Sequence, residues 1–406
     1  MSTGRLQVNI FGETVGFPLE GSNVTITNSK TKNIIENLIT NSSGNSDIIN
    51  LEAPPEEYSM QPNSPQPYAE YTINVSKEGF DPVTIENIQV LPNTTAVQNV
   101  FMKKAAENAA QDFVYPIPPH TLYGDFPPKI AESSVKPLPM AEGFVILDKI
   151  VVPEYIVVHD GNPDDDSAPN YWIPYKDYIK NVASSEIYAT WPEECIKANI
   201  ITITSFTLNR VYTEWYRSRG KNFTVTSTTA YDQKFVYQRN VFEEISNIVD
   251  EMFSMYITKP QIEQPLFTQY CDGKNVTCPG WLSQWGSKEL AESGLNYIDI
   301  LRNYYGTEIY TEYADQVAGV PISFPGNALE SGSVGENVKT IQRQINSISN
   351  NYPAINKIAV DGIYGQSTID AVKKFQEIFN LPQTGSVDYA TWYEISKVYA
   401  AVMRLA

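Results

Sequence analysis

One carboxylate stands out in the 406-residue chain for the company it keeps. Glu186 follows a segment, Tyr175 to Ser185, whose apolar residues Tyr175, Tyr178, Ile179 and Val182 have helical spacing, and it is followed by Ile187, Tyr188 and Trp191. A carboxyl group among apolar side chains has its charged form disfavoured, which raises its pKa toward the range where it can donate a proton near neutrality. A lone glutamate at a helix end is ordinarily solvated or a cap, so the surroundings carry the argument. Glu186 is the candidate general acid.

The residues after it must hold it in place. Thr190 and Glu193 have the Ser/Thr-x-x-Glu spacing of a capping box, and Pro192 stands where a missing N–H is harmless. Ile196, Ile200, Ile203, Val211 and Trp215 then recur at intervals that predict a long helix, although the IITIT stretch by itself has the β-branching of a strand.

The run YIKNVASSEIYATWPEECIKANI and the later PGWLSQWGSKELAESGLNYIDILRNYYGTEI resemble the two signature blocks of the stage II sporulation protein D family. Members of that family are peptidoglycan lytic transglycosylases with a catalytic Glu shortly before a long helix. The matching residues of the second block include Ser283, Gln284, Trp285, Gly286, Ala291, Gly294, Tyr297, Tyr304, Tyr305 and Gly306. The resemblance implies Glu186 as catalytic residue and Tyr188, Ser283, Gln284 and Trp285 as substrate-binding residues. The longer form, with YTEWYRSRG and QYCDG…CPGWLSQWG, is closer still to the spore cortex-lytic enzymes of clostridia. One departure matters: where the broader family has a His-Gly pair before its Ser-Gln, this chain has Thr277, Cys278, Pro279 and Gly280, so no histidine role carries over.

Composition excludes other classes. A net charge of −18 argues against nucleic acid and anionic membrane surfaces, which require clustered Lys and Arg, and no segment reads as membrane-inserting. Glycans remain open, since 26 Tyr and 6 Trp supply stacking and hydrogen-bonding surfaces. Three cysteines are too few for a disulfide scaffold: Cys195 reads as a small buried apolar residue, while Cys271 and Cys278 are spaced to pair or to share a metal. Zinc needs four ligands, the two histidines His120 and His159 lie far off in sequence, and Asp164 to Asp166 lack the spacing of an EF-hand, so neither a metal nor another cofactor is expected. The start, MSTGRLQVNIF, lacks the features of a secretory signal, and export by that route is not expected.

The expected architecture is multidomain. Residues 1–102 alternate like half-buried strands between turn signals, which predicts an all-β sandwich, and the order of motifs is similar to the transthyretin-like domain. Residues 103–143 are proline-rich and read as a linker or a strap over a neighbour. Residues 144–319 form a mixed α+β catalytic domain, with strands expected at Phe144–Leu147, Ile150–His159, Phe223–Thr228 and Leu266–Tyr270 and a helix at Val241–Tyr256. After a linker, 320–332, residues 333–406 carry three helical patterns around Asp361-Gly362-Ile363-Tyr364-Gly365 and resemble the peptidoglycan-binding domain type 1. There Asp361, Tyr364 and Gly365 are the candidate groove residues, with a plain turn as the other reading of Asp-Gly.

Ordinary glycoside hydrolysis needs two carboxylates flanking the bond, and the sequence offers one candidate. That favours lytic transglycosylation, with cortex peptidoglycan as partner; a non-catalytic wall-binding protein is the alternative. The resemblance further implies a spore location at the boundary of cortex and coat, production in the mother cell as a zymogen, and a subtilisin-like germination protease as activating partner that cuts within the proline-rich region.

Overall fold

The computed structural model describes residues 2–106, 111–138 and 149–405. The N-terminal unit is built from β1 (Ser2–Phe11), β2 (Asn23–Asn28), β3 (Ile34–Ile39), β4 (Ile49–Ala53), the short α1 (Glu57–Met60), β5 (Ala69–Ser76), β6 (Val83–Val90) and β7 (Thr95–Phe101). Leu6, Val8 and Ile10 of β1, and Ile73 and Val75 of β5, alternate into one core, as the period-2 pattern requires. The strands form two sheets, and neither is completed by residues 2–102 alone. One takes in β8 (Phe113–Pro116) of the proline-rich region, parallel to β6, and the other takes in a strand from the central unit. Strand β3 carries no alternation in its sequence because it is an edge with Ile34 and Ile39 both in solvent.

The central unit contains β9 (Val151–Val152), β10 (Tyr155–His159), β11 (Asn170–Pro174), α2 (Tyr175–Glu186), α3 (Glu193–Tyr212), β12 (Val225–Thr226), β13 (Val241–Phe242), α4 (Glu243–Met252), β14 (Met255–Thr258), β15 (Tyr270–Cys271), β16 (Leu282–Ser283), α5 (Gln284–Glu292), α6 (Tyr297–Tyr305), β17 (Tyr310–Tyr313) and β18 (Gln316–Val317). Helix α3 is its axis. From Cys195 to Arg210 almost every side chain of α3 is buried, so burial on all sides outweighs the strand-like propensity of IITIT. Its threonines satisfy their hydroxyls within the helix, Thr202 donating to Ala198 O and Thr207 to Ile203 O, both at 2.9 Å.

Several expectations are corrected here. The capping box does not form: Pro192 is the N-cap, Thr190 bonds Ser59 of the N-terminal unit at 2.7 Å, and Glu193 pairs with Lys197 one turn on. Trp215 lies beyond the end of α3. The helix expected over 241–256 is a strand, a shorter helix and another strand, because Val241 and Phe242 are drawn into pairing with β7. The strands at 223–228 and 266–270 shrink to β12 and β15. The strand expected at Phe144–Leu147 lies outside the described residues.

Helices α7 (Glu336–Ile348), α8 (Gln366–Ile378) and α9 (Tyr389–Leu405) close the chain around Val338, Ile345, Phe375, Trp392 and Ile395. This unit is docked rather than tethered. Lys176 of α2 is buried between Asp250 of α4 at 2.8 Å and Glu394 of α9 at 2.7 Å, and Lys397 of α9 reaches Asp177 at 2.8 Å.

Candidate active site

Glu186 ends α2 and is 2 % exposed. Its Oε1 accepts hydrogen bonds from the Lys234 backbone N–H at 2.9 Å and the Tyr270 hydroxyl at 3.1 Å, and its Oε2 accepts from the Gln284 amide at 3.1 Å. That amide also donates to the Glu186 carbonyl at 3.1 Å. The pocket is therefore polar, not the apolar wall that Ile187, Tyr188 and Trp191 suggest. Burial, and then the charge of Glu186, push the Tyr270 phenol well above its usual range, so it stays protonated and donates.

The two side-chain donors come from one small construction. Tyr270 and Cys271 pair in parallel with Leu282 and Ser283, and Gln284 begins α5 directly after. Ser283 caps that helix, its Oγ accepting from Gly286 N at 2.9 Å. Gly273 must be glycine: its φ is +76°, and a Cβ there would meet Ser283 Oγ at 1.8 Å. Cys271 and Cys278 are joined as a disulfide that closes the loop between the strands. Among the described residues no group of three or more His, Cys, Asp or Glu is placed to hold a metal.

A second buried cluster adjoins the first. Arg210 Nε donates to Asp232 Oδ1 at 2.8 Å, and its two terminal nitrogens donate to Glu132 at 2.6 and 3.1 Å. Asp232 Oδ2 accepts from the Tyr216 hydroxyl at 2.7 Å and from the backbone and side chain of Thr226 at 2.8 and 2.9 Å. Both oxygens of Asp232 are thus occupied.

Glu132 belongs to the proline-rich segment, which lies across this whole region. Thr121 N donates to Ser185 O at 3.1 Å, His120 Nε2 bonds Ile187 O at 3.1 Å, Ile130 N reaches Ala230 O at 2.8 Å, and Phe267 N reaches Ser134 O at 2.8 Å. Lys129 sits 4.6 Å from the centre of the Tyr270 ring and donates to the Asp232 carbonyl. Burial lowers the pKa of Lys129, while the charges of Glu186 and Asp232 oppose that shift. The strap reading, not the plain spacer, describes residues 113–138.

Three expected binding side chains are placed differently from a sugar platform. Tyr188 is 2 % and Trp285 4 % exposed; Tyr188 stacks on His120 with ring centres 4.5 Å apart, and Trp285 lies 4.9 Å from Trp191. With the strap in place both are packing residues, Tyr188 under the strap's His120 and Trp285 against Trp191. In the C-terminal unit Tyr364 is 1 % exposed, with its hydroxyl donating to Gly385 O at 2.9 Å, so its ring lines the core and no groove. Asp361 is exposed and organises its own turn, accepting from Ile363 N and the Gln342 amide at 2.9 Å each, while Gly365 precedes α8. The most exposed large apolar residues of that unit are Val334 and Ile363, at 74 % and 56 %, with Val360 next to the turn also in the open.

Sequence reasoning missed Lys234, Tyr270, Arg210 and Asp232. Tyr270 carried only a faint signal, as the residue before Cys271 in the QYCDG stretch, whereas Lys234 acts through its backbone and leaves none.

Comparison with known proteins agrees with the two patterns in the sequence. The "Stage II sporulation protein" family model matches residues 169–258, and the "Putative peptidoglycan binding domain" model matches 334–395. No curated protein is matched. Among solved structures, the SleB N-terminal domain is 28 % identical over 19 % of this chain and 99 % of its own, with a TM-score of 0.17. The Bacillus anthracis TIE protein is 19 % identical over 26 % of this chain and 17 % of its own (TM-score 0.19), and the minor pilin GBS52 of Streptococcus agalactiae is 16 % identical over 27 % and 48 % (TM-score 0.19). The chain thus spans less than half the length of the latter two.

Proposed function

We infer from these two family matches that the chain is a protein of the spore cortex-lytic type, linked to sporulation and to the cell wall through a peptidoglycan-binding domain. We propose that it cleaves glycan strands of cortex peptidoglycan as a lytic transglycosylase, with Glu186 as the single general acid and base. The observation that carries this is Glu186, buried and held by three neutral donors, beside an Asp232 that is committed to an ion pair with the buried Arg210. A hydrolase would need a second free carboxylate. In transglycosylation Glu186 protonates the departing glycosidic oxygen, the C1–O bond breaks, and the carboxylate then takes the proton of the muramic acid's C6 hydroxyl as that oxygen bonds C1. Tyr270 and Gln284 act as positioning residues that keep the carboxyl aimed.

The same geometry supports a zymogen. Glu186 is closed off by a strap that a protease must remove, and a cut between Lys103 and Val152 by a subtilisin-like germination protease is the proposed trigger. The N-terminal unit, read as a transthyretin-like sandwich, then serves as a pro-domain, and the protein acts in the spore at the cortex. A non-catalytic wall-binding protein is the competing reading.

The products decide the reaction. Protein freed of residues 2–138 and given isolated cortex should release fragments ending in 1,6-anhydromuramic acid, which borohydride cannot reduce. Reducible ends one water heavier would make it a hydrolase, and no product from the freed protein would favour the non-catalytic reading.

A further inference from the structure

The contact between the N-terminal and central units extends well outside the strap, meeting it where the Gln89 amide donates to Pro118 O at 3.0 Å, and has the character of a subunit interface. At its centre β13 adds itself to the N-terminal sheet, with Val241 opposite Val97 and Phe242 opposite Ala96. Phe242 and Ala96 have no exposed surface. Asn240, also fully buried, clasps the backbone of Gln89 on β6: its Oδ1 accepts from Gln89 N at 3.1 Å and its Nδ2 donates to Gln89 O at 3.0 Å. The Gln89 side chain accepts from Arg239 Nη2 at 3.0 Å, and that guanidinium also donates to Ser185 Oγ, beside Glu186, at 2.9 Å. Gln98 donates to Gln238 O at 3.0 Å. Gln89 and Asn240 complete one another across the contact, and a main-chain ladder runs through the middle, the pattern by which one polypeptide adds a strand to another.

We infer that the N-terminal unit remains seated after the chain is cut, so that residues 2–138 become a separate, non-covalent subunit and their departure is a second step. The cut removes one covalent connection and none of these bonds. The strap leaves with that fragment, so as long as the seam holds, His120, Lys129 and Glu132 stay over Glu186 and the cut protein is primed rather than open. This rests on the zymogen reading for its consequence, not for the seam.

The test uses the full chain with a recognition sequence for a site-specific protease inserted in 139–148. After complete cutting, native mass spectrometry and size-exclusion at about 1 μM should find both polypeptides in one particle, as for a Kd below ~1 μM, with glycan cleavage still at the level of the uncut protein. Separating the fragments in mild urea and returning the central portion to buffer should then raise activity. Asn240→Ala with Gln98→Ala should let the fragment depart upon cutting alone. Two particles immediately after cutting of the parent chain would overturn the inference, and so would full activity from the undivided particle. A separated central portion that is folded but inactive would instead break the catalytic reading and leave the seam standing.

Discussion

The strap and the seam both fasten the N-terminal unit to the central one, yet they do so by different chemistry. Besides backbone bonds, the strap is held by charged and titratable groups: Glu132 on a fully buried Arg210, Lys129 near Glu186, and His120 between two backbone groups. The seam is held mainly by strand pairing and amides, with Arg239 and Glu244 as its ionisable members. Buried charges are costly when one partner leaves, so the strap is a contact whose loss is felt at the candidate site. Neutral ladders tolerate small changes, so the seam is suited to persist.

The strongest way to break this comparison is through Arg210. Arg210→Met leaves the buried Asp232 without its cation, and Glu132 with Lys136 alone, and should cost about 3–5 kcal/mol, read as a lowered urea midpoint of the central unit. A loss as small as that of a surface arginine would mean the strap does not depend on charge. A smaller loss, about 1–3 kcal/mol, is expected from Asn240→Ala, which orphans the Gln89 backbone groups; hydrogen exchange at Gln89 should quicken while the strap's protection stays. Equal loosening of both contacts would show them to be one.

Acidity should move the two contacts in opposite directions. Burial, reinforced by Arg239, holds His120 well below the usual imidazole value of 6.5, so a released strap takes up a proton that the bound strap refuses. Falling pH below that value therefore favours strap release. Across the seam Glu244 accepts from Thr95 N at 3.0 Å, and burial pushes its carboxyl up to about 7 from an ordinary 4.5, with Glu243 adding to the shift and Arg5 opposing it. The seated form then holds a proton that the separated form has lost between these values. That contribution is full below about 4.5 and is lost as pH rises through about 7. In the cut protein, strap protection should drop toward pH 5 and fragment release should increase toward pH 8. The same direction for both would remove these groups as the cause.

The least effect is expected at the far end of the chain. Deleting residues 333–406 is not a clean test of wall binding, because it strips Glu394 from the buried Lys176. Val334→Ser with Ile363→Ser leaves that cluster intact and should reduce pull-down by insoluble peptidoglycan with no change in stability. Unchanged pull-down would take the exposed apolar pair out of the binding surface.

What the sequence made legible follows what is local. The period-2 alternation of Leu6, Val8 and Ile10 and the helical spacing around Val338 and Trp392 reported elements directly, since each has one buried face. Val241 and Phe242 did not, because their partner is Val97 and Ala96 on another unit. Glu186 was legible through its block and Gln284 through position in another, whereas Tyr270 lies ahead of that block and was not read as a site residue. The strap's cover was not, since prolines report extended backbone but not which surface it crosses.

The central claim is that Glu186 gives up the proton once uncovered. The direct measurement is the rate of cortex solubilisation by the chain freed of residues 2–138, as wild type and as Glu186→Gln, with wall pull-down and urea midpoint as controls. Gln keeps the shape but has no proton to donate, so the rate should fall by ~10²–10⁴-fold with both controls unchanged. A Gln variant that turns over cortex at the wild-type rate, with the same anhydro ends, would contradict the account.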